Sequence, residues 1–529
     1  MRRLVAVSTL TTAIVLHAPR AAAQQRDAIV LVSAADTISV ERFARTASRL
    51  ESELVFRATA ARFTFSAALD ARGAVRIFEN EYRPTSAERS APATQSATLS
   101  FIGDSVIAEV RGTGSSTAMT QRLATKSGAL PYINPSFALV ELALGRAIRE
   151  GRDTVVVPLF AVQGGMTSDA KVIRVGRDSM VLDFGGVAVR LAVNPSGEIL
   201  GGAVPAQGLR VVRLRNVSDA ALSVAKPDYS APNDAPYTAE DVTIPTKAGF
   251  TLAGTLTLPK GANGPVAAVV TITGSGLQDR DEAISLVKGY RLFRQIADTL
   301  GRNGIAVLRM DDRGFGRSGG SVATATSADF ADDIRAGLAY LRTRREIDPR
   351  RLGLVGHSEG GLIAPMVAAS DSALRAIVLM AGPSQGGREI LEYQARYAVE
   401  HDTSLKVPQR DSALTAARAS IDSATRASPW LRFFVSYDPL ATAGHVKVPT
   451  LILQGATDRQ VTAEQAEQLA AAIRAAGNAR VTVRVFPEAN HLFVQDPDGD
   501  PSRYSTLPSG AVRSDVLGLL VDWLLGELR

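Results

Sequence analysis

Between residues 27 and 225 apolar and polar positions alternate with a period of two, as in Ala74-Val75-Arg76-Ile77-Phe78 and Lys171-Val172-Ile173-Arg174-Val175. Turn signals such as Ala71-Arg72-Gly73 and Pro195-Ser196-Gly197 break these runs at short intervals. Successive side chains of a strand point to opposite faces, so the pattern predicts an antiparallel β-rich unit with one face buried. A single stretch, 136–149, switches to a helical period and predicts one amphipathic helix inside that unit. No nucleophile paired with a base, ligand cluster or glycine-rich phosphate loop stands out in this half.

Residues 226–238 carry Pro227, Ser230-Ala231-Pro232 and Asn233-Asp234-Ala235-Pro236, the composition of a linker. After it, over 239–529, the rhythm changes. Apolar runs of strand length at 266–273, 304–310, 352–355, 376–380, 450–453 and 480–485 alternate with helical stretches at 292–303, 328–342, from Gly360, at 463–476 and at 515–528. Continuous apolar strands separated by helices predict an α/β unit, a mostly parallel sheet covered on both faces. Residues 385–446 break that alternation as a long, largely helical insertion between two strands, the usual place of a lid. Within it Trp430, Leu431, Phe433, Phe434 and Tyr437 cluster; Trp430 and Phe434 are expected to line a substrate pocket, and packing of the lid onto the core accounts for such rings equally well.

The chain opens Met1-Arg2-Arg3, runs apolar over 4–16 and reaches Ala21-Ala22-Ala23 before Gln24. A charged start, a short apolar centre and an Ala-x-Ala ending predict a secretory signal peptide, 1–23, and export to the periplasm or the medium. The apolar centre falls short of the roughly 20 residues a membrane span needs, and the remainder predicts no span in the mature protein. Cysteine is absent, so the fold has no covalent staples. The formal charge is +6, from 59 basic against 53 acidic residues scattered without a basic run, which argues against nucleic acid as a partner.

The run 352–355 leads into Gly356-His357-Ser358-Glu359-Gly360-Gly361, after which helical text begins. A Gly-x-Ser-x-Gly string arises readily by chance in a chain with 44 glycines. Its place between a strand and a helix is what makes it informative: glycines two before and two after a serine let the backbone turn sharply and lift the hydroxyl above the sheet edge. A serine hydroxyl needs a base, and in this architecture acid and histidine follow the nucleophile in that order. Of the five histidines, His17 lies in the leader, His357 flanks the nucleophile, and His401 and His445 precede the strand that should supply the acid. His491, in Pro487-Glu488-Ala489-Asn490-His491 after the last predicted strand, is the remaining base. Asp458 ends the run Leu451-Ile452-Leu453-Gln454-Gly455-Ala456-Thr457 and is the predicted acid. Each has a bland alternative: a helix cap for Ser358, a turn cap for Asp458, a hydrogen-bonded loop histidine for His491. The oxyanion donors are expected to be the backbone amides of Glu359 and of Ser275 in Gly274-Ser275-Gly276-Leu277-Gln278-Asp279-Arg280-Asp281, with Gly276 the rival donor and a substrate-contacting position. Asp279, Arg280 and Asp281 are expected to brace that loop through ion pairs, and Asp311-Asp312-Arg313 has the same reading. The chemistry requires no metal and no organic cofactor.

These segments, together with Asp312-Arg313-Gly314-Phe315-Gly316-Arg317-Ser318, Pro429-Trp430 and Asp438-Pro439, resemble the esterase branch of the α/β-hydrolases, near the EstD-type carboxylesterases and the dienelactone-hydrolase and serine-aminopeptidase-like proteins. The likeness spans about 241–529. It implies an α/β-hydrolase fold and a serine hydrolase acting on a small-molecule carboxylic ester through an acyl-enzyme. Leu277 departs from it, standing where such proteins often carry Pro. A serine peptidase shares this machinery and is the nearest rival. A rival of another class is an envelope binding module whose β-rich unit holds a glycan, peptide or protein while the hydrolase fold is idle.

Overall fold

The computed structural model describes residues 26–529 apart from 34–35, 57–60, 86–88, 113–116, 164, 185–186, 218–226, 285–286, 323 and 403–404. The leader predicted at 1–23 lies outside the described residues. Among those described, no helix is long and apolar enough to cross a membrane.

The front of the chain forms a 15-stranded sheet. Its first strand, Arg26–Ser33, pairs with its last, Leu209–Val217, at the middle, and hairpins run outward on both sides to edges at Met119–Ala124 and Leu130–Tyr132. Alternation does the sorting: along Ala61–Leu69 the residues Ala61, Phe63, Phe65 and Ala67 point inward and their neighbours do not. The helix Phe137–Glu150 starts where Ser136 accepts a hydrogen bond from the Leu139 amide and ends at Gly151, whose φ of 69° suits a residue without Cβ. Sequence periodicity predicts an amphipathic helix with one wet face. Instead most of its circumference is buried, because both wings of the sheet pack against it in one apolar cluster. The helix also makes the crossover that leaves Leu130–Tyr132 and Thr154–Ala161 parallel in an otherwise antiparallel sheet. At its amino end the buried carboxylate of Glu41 accepts from Ser136 Oγ (2.6 Å), the Phe137 and Ala138 amides (2.6 and 2.9 Å) and Ser52 Oγ (2.9 Å).

The second sheet has eight strands, in spatial order Tyr237–Pro245, Thr251–Pro259, Ala306–Met310, Val266–Ile272, Ile347–His357, Ala376–Met380, Thr450–Gly455 and Val481–Phe486. All but the first two are parallel. This is the α/β-hydrolase arrangement. Leu292–Arg302 and Ser514–Glu527 pack on one face and Ser327–Thr343, Glu359–Ala368 and Glu464–Ala475 on the other. The opening hairpin is absent from the sequence reading, which runs the linker to residue 238 and starts strands at 266. Its first strand carries Thr238, Glu240, Asp241 and Thr243 at an edge, so it looks like loop text, yet Tyr237 is buried and donates to Asp298 Oδ1 at 2.7 Å. Between Ala376–Met380 and Thr450–Gly455 stand four helices: Gly387–His401, Val407–Ala427, Pro429–Ser436 and Pro439–Ala443.

The acidic loop after Val266–Ile272 is braced as its composition suggests. Arg280, fully buried, donates from Nε and one Nη to Asp311 (2.9 and 2.8 Å) and from the other Nη to Thr255 Oγ1 (2.7 Å). The Tyr229 ring covers its guanidinium at 4.3 Å. Asp281 pairs with Arg309 and lies near Arg291 and Arg294. Buried charges of this kind persist only when paired, and the pairing ties the loop to two strands.

Candidate active site

Ile347–His357 ends and Glu359–Ala368 begins with a single residue between them, Ser358. Its φ of 53° and ψ of −117° are a strained conformation for a residue with a side chain. The surrounding glycines are sterically obligatory. A Cβ on Gly356 would stand 2.1 Å from the Gly360 carbonyl oxygen, and one on Gly360 2.1 Å from that of Ile272. The elbow thus turns in contact with its own helix and the neighbouring strand, which leaves Ser358 half-buried at the carboxyl edge of the sheet, at a helix amino end rich in free N–H groups.

Asp458 stands just past Thr450–Gly455 and is 1% exposed. Its Oδ1 accepts from the Gln460 and Val461 amides at 2.8 and 2.9 Å. Its Oδ2 accepts from Gln454 Nε2 at 3.0 Å and lies 2.7 Å from His491 Nδ1. An ionised carboxylate only accepts, so Nδ1 carries the hydrogen and Nε2 has its lone pair free. Asn490 holds the turn under the imidazole, accepting from the Leu492 amide at 2.9 Å and donating to Asp496 Oδ2 at 3.0 Å.

Ser358 and His491 line one cavity of about 340 Å³, with Ser275 and Glu359 also on its wall. Its apolar side comes from Pro383, Ile390, Leu391, Trp430, Phe434 and Leu492, so the inserted helices roof Ser358. Trp430 and Phe434 stack with ring centroids 5.4 Å apart and planes 8° apart. Phe433 and Tyr437 stack on each other and are not part of that wall. Gly276, with φ of 93°, lines a smaller neighbouring cavity with Asp312 and Arg313, which shares Gly274 and Glu359 with the first.

The loop after Val266–Ile272 is pinned from behind. Asp312 accepts from Thr273 Oγ1 and from the Gln278 amide, both at 2.8 Å, and burial pushes its carboxyl well above the usual range. Glu359 Oε1 accepts from Ser327 Oγ at 2.6 Å and from Trp430 Nε1 at 2.8 Å, joining the residue after Ser358 to the inserted helices. Burial raises the Glu359 carboxyl too, partly offset by those donors and by Ser275.

Several residues of the site escape a sequence reading. Tyr504, on the short 3₁₀ turn Pro501–Thr506, and Gln460 line the cavity and meet at 3.2 Å. Glu282 sits among acids that read as loop bracing, yet its Oε1 is 2.7 Å from His357 Nδ1 and accepts the Gly274 amide at 3.1 Å. Its place directly after that acidic run, with a φ of 51°, is a signal visible only once the backbone is known.

Residues 286–498 match the family described as Hydrolase_4, serine aminopeptidase, S33. Esterase EstD of Thermotoga maritima is 27% identical over 304 residues, spanning 56% of this chain and 70% of that protein. The uncharacterized peptidase YuxL of Bacillus subtilis is 26% identical over 216 residues, 39% of this chain and 29% of its own length. Among solved structures, the Pyrococcus furiosus esterase Pf2001 overlays with a TM-score of 0.40 at 18% identity, over 58% of this chain and 96% of that one. Est1E of Butyrivibrio proteoclasticus, solved with ferulic acid, gives 0.36 at 17% identity, over 54% and 99%.

Proposed function

We propose that this chain, an α/β-hydrolase in its carboxyl-terminal half and so a hydrolase, is an exported enzyme that cleaves carboxylic esters through Ser358, His491 and Asp458. The observation that carries the reading is the Asp458 to His491 hydrogen bond on the wall of the cavity that also holds Ser358. With Nδ1–H held by Asp458, Nε2 of His491 takes the Ser358 proton as the oxygen attacks the ester carbonyl. The amides of Glu359 and Ser275 stabilise the tetrahedral oxyanion. Collapse expels the alcohol, which leaves with the proton from His491, and a water activated by the same imidazole releases the acid from the acyl-serine. Trp430, Phe434, Leu391 and Ile390 supply an apolar wall suited to the acyl or alkyl part.

A peptidase reading is favoured by the family description, and the same triad serves it. Recognition of a peptide amine calls for carboxylates open to the cavity, whereas Oε1 of Glu282 and of Glu359 accepts from protein donors and the unpartnered Oε2 of Glu282 is buried. Esters are therefore the better fit. Turnover of p-nitrophenyl acyl esters beside aminoacyl anilides separates the two readings. Ser358→Ala should lower ester turnover by several powers of ten with the fold intact; undiminished turnover in that variant would falsify the assignment. Labelling by a fluorophosphonate probe distinguishes a working site from an idle one.

A further inference from the structure

The reaction above leaves one buried imidazole without a part. His357, immediately before the nucleophile, is 2% exposed. Its Nε2 lies 2.9 Å from the backbone carbonyl oxygen of His491 and its Nδ1 2.7 Å from Glu282 Oε1. A carbonyl oxygen only accepts, so Nε2 carries a hydrogen. Glu282 Oε1 already accepts the Gly274 amide and meets Nδ1 as well, which suits an ionised carboxylate taking a second donor. A ring carrying hydrogen on both nitrogens would satisfy both of these acceptors at once.

The groups facing this ring come from three loops. Glu282 follows Val266–Ile272, Asp458 follows Thr450–Gly455, and His491 follows Val481–Phe486, its ring centroid 4.9 Å from that of His357. The apolar ring of Phe493 closes the remaining side at 6.1 Å. Burial alone would push the imidazole of His357 down; the charge of Glu282, its hydrogen bond and the carbonyl of His491 outweigh it and hold the group above its ordinary value.

We propose that His357 is a positioning residue for the ester hydrolysis proposed above: clamped by Glu282, it ties the oxyanion loop to the backbone of His491 and so fixes the catalytic imidazole relative to Ser358. Each of the three loops carries one element of the reaction, and each leaves a different strand. Asp458 and His491 already join two of them, so it is the loop carrying Glu282 whose placement would otherwise rest on the packing of the sheet edge, and a displacement of about 1 Å at a reacting centre costs on the order of 100-fold in rate. The Glu282 and His357 pair supplies the link from inside the elbow.

The inference rests on the hydrolase reading, and the test separates their failures. In the full wild-type chain with ¹⁵N-labelled histidine, His357 should keep hydrogen on both nitrogens to a higher pH than an ordinary imidazole, and Glu282→Gln should lower the pH at which the second hydrogen is lost. A wild-type His357 that loses it no later than an ordinary imidazole overturns the proposal, whatever any variant does. His357→Asn sets an amide where Nδ1 stands and loses the His491 carbonyl; His357→Gln reaches toward the Nε2 position and loses Glu282. For p-nitrophenyl ester turnover, His357→Asn should lower kcat about 10- to 100-fold with KM little changed. His357→Gln should lose less, with the acid limb of kcat/KM moved to higher pH because a positive charge beside His491 is gone. Unchanged kcat and an unmoved acid limb in both variants would make His357 a packing residue. If the wild type itself takes no fluorophosphonate label, the hydrolase reading fails instead.

Discussion

Asp458→Asn exchanges one oxygen for an NH₂ group and should nearly abolish turnover. The direction in which the new amide settles follows from its neighbours. Two backbone amides, Gln460 and Val461, point at Oδ1 at 2.8 and 2.9 Å, so the oxygen of the introduced side chain must stay there and its NH₂ group must take the place of Oδ2. That group then meets two donors, Gln454 Nε2 at 3.0 Å and His491 Nδ1 at 2.7 Å. Gln454 has an alternative, since flipping its amide turns the buried and unpartnered Oε1 toward the NH₂ group. The flip removes its bond to the Val461 carbonyl at 2.8 Å, a loss of about 1 kcal/mol. His491 must give up the hydrogen on Nδ1 and carry it on Nε2, which faces the serine and is then no base. A triad held in the wrong tautomer loses about 10⁴-fold in kcat, whereas the fold should lose only about 1–3 kcal/mol. The assay is initial-rate hydrolysis of a p-nitrophenyl ester at saturating substrate, beside a urea melt of the same sample. Turnover within tenfold of wild type in a folded variant would refute the reasoning, because it would mean that Asp458 does not set the tautomer.

Other consequences can be checked as directly. Gly360→Ala drives a methyl group to 2.1 Å from the Ile272 carbonyl oxygen, where backbone faces backbone; a loss of about 4 kcal/mol or more is expected, and a native urea midpoint would contradict it. Glu41→Ala strands two hydroxyl and two amide donors at the start of the buried helix Phe137–Glu150, and should cost about 3–5 kcal/mol, read as lost amide-exchange protection in that helix. Asp279 is pushed up to about 6 by burial and by the charge of Asp281. The native state therefore holds this proton more tightly than the unfolded chain, whose value is near 3.8, and stability falls as pH rises through that interval. Asp279→Asn should accordingly gain on wild type in urea midpoint between pH 4 and pH 7.5, and a gap that does not widen would count against it. Trp430→Ala opens the roof of the cavity and removes a donor to Glu359; KM for short acyl esters should rise about tenfold, with preference moving to longer chains, and an unaltered chain-length profile would exclude the indole from the acyl site.

How far the sequence could be read depended on whether a feature is local. The elbow was legible because its glycines, the serine and the strand and helix that flank them all lie within residues 347 to 368. Order along the chain singled out Asp458 and His491, since a parallel sheet delivers its loops to one edge in a known sequence. Both ends of the helices at 137–150, 292–302, 327–343, 464–475 and 514–527 were read to within a residue, whereas those inside the insertion were not separated. What stayed hidden was decided by partners far away. Glu282 and His357 are 75 residues apart, and nothing near either one announces the other. The strand Tyr237–Pro245 lies at the sheet edge, and its only alternation of buried and exposed residues, Val242 and Ile244 against Asp241, Thr243 and Pro245, is short and follows directly on proline-rich linker text.

The pairing of Arg26–Ser33 with Leu209–Val217 has a bearing on how the front sheet can assemble. Asp27 and Arg213, joined across that seam at 2.6 Å, are 186 residues apart, so the central rung joins the earliest and the latest pieces of the unit to be synthesised. Either meander can zip outward on its own through short turns, but the two halves cannot merge until the final strand emerges. Until then Arg26–Ser33 exposes an open edge in the middle of what will become the core. A ribosome or a translocation channel delivering this chain slowly would prolong that exposure, which makes the seam the point where a chaperone would act and where truncation at the far end would be felt first.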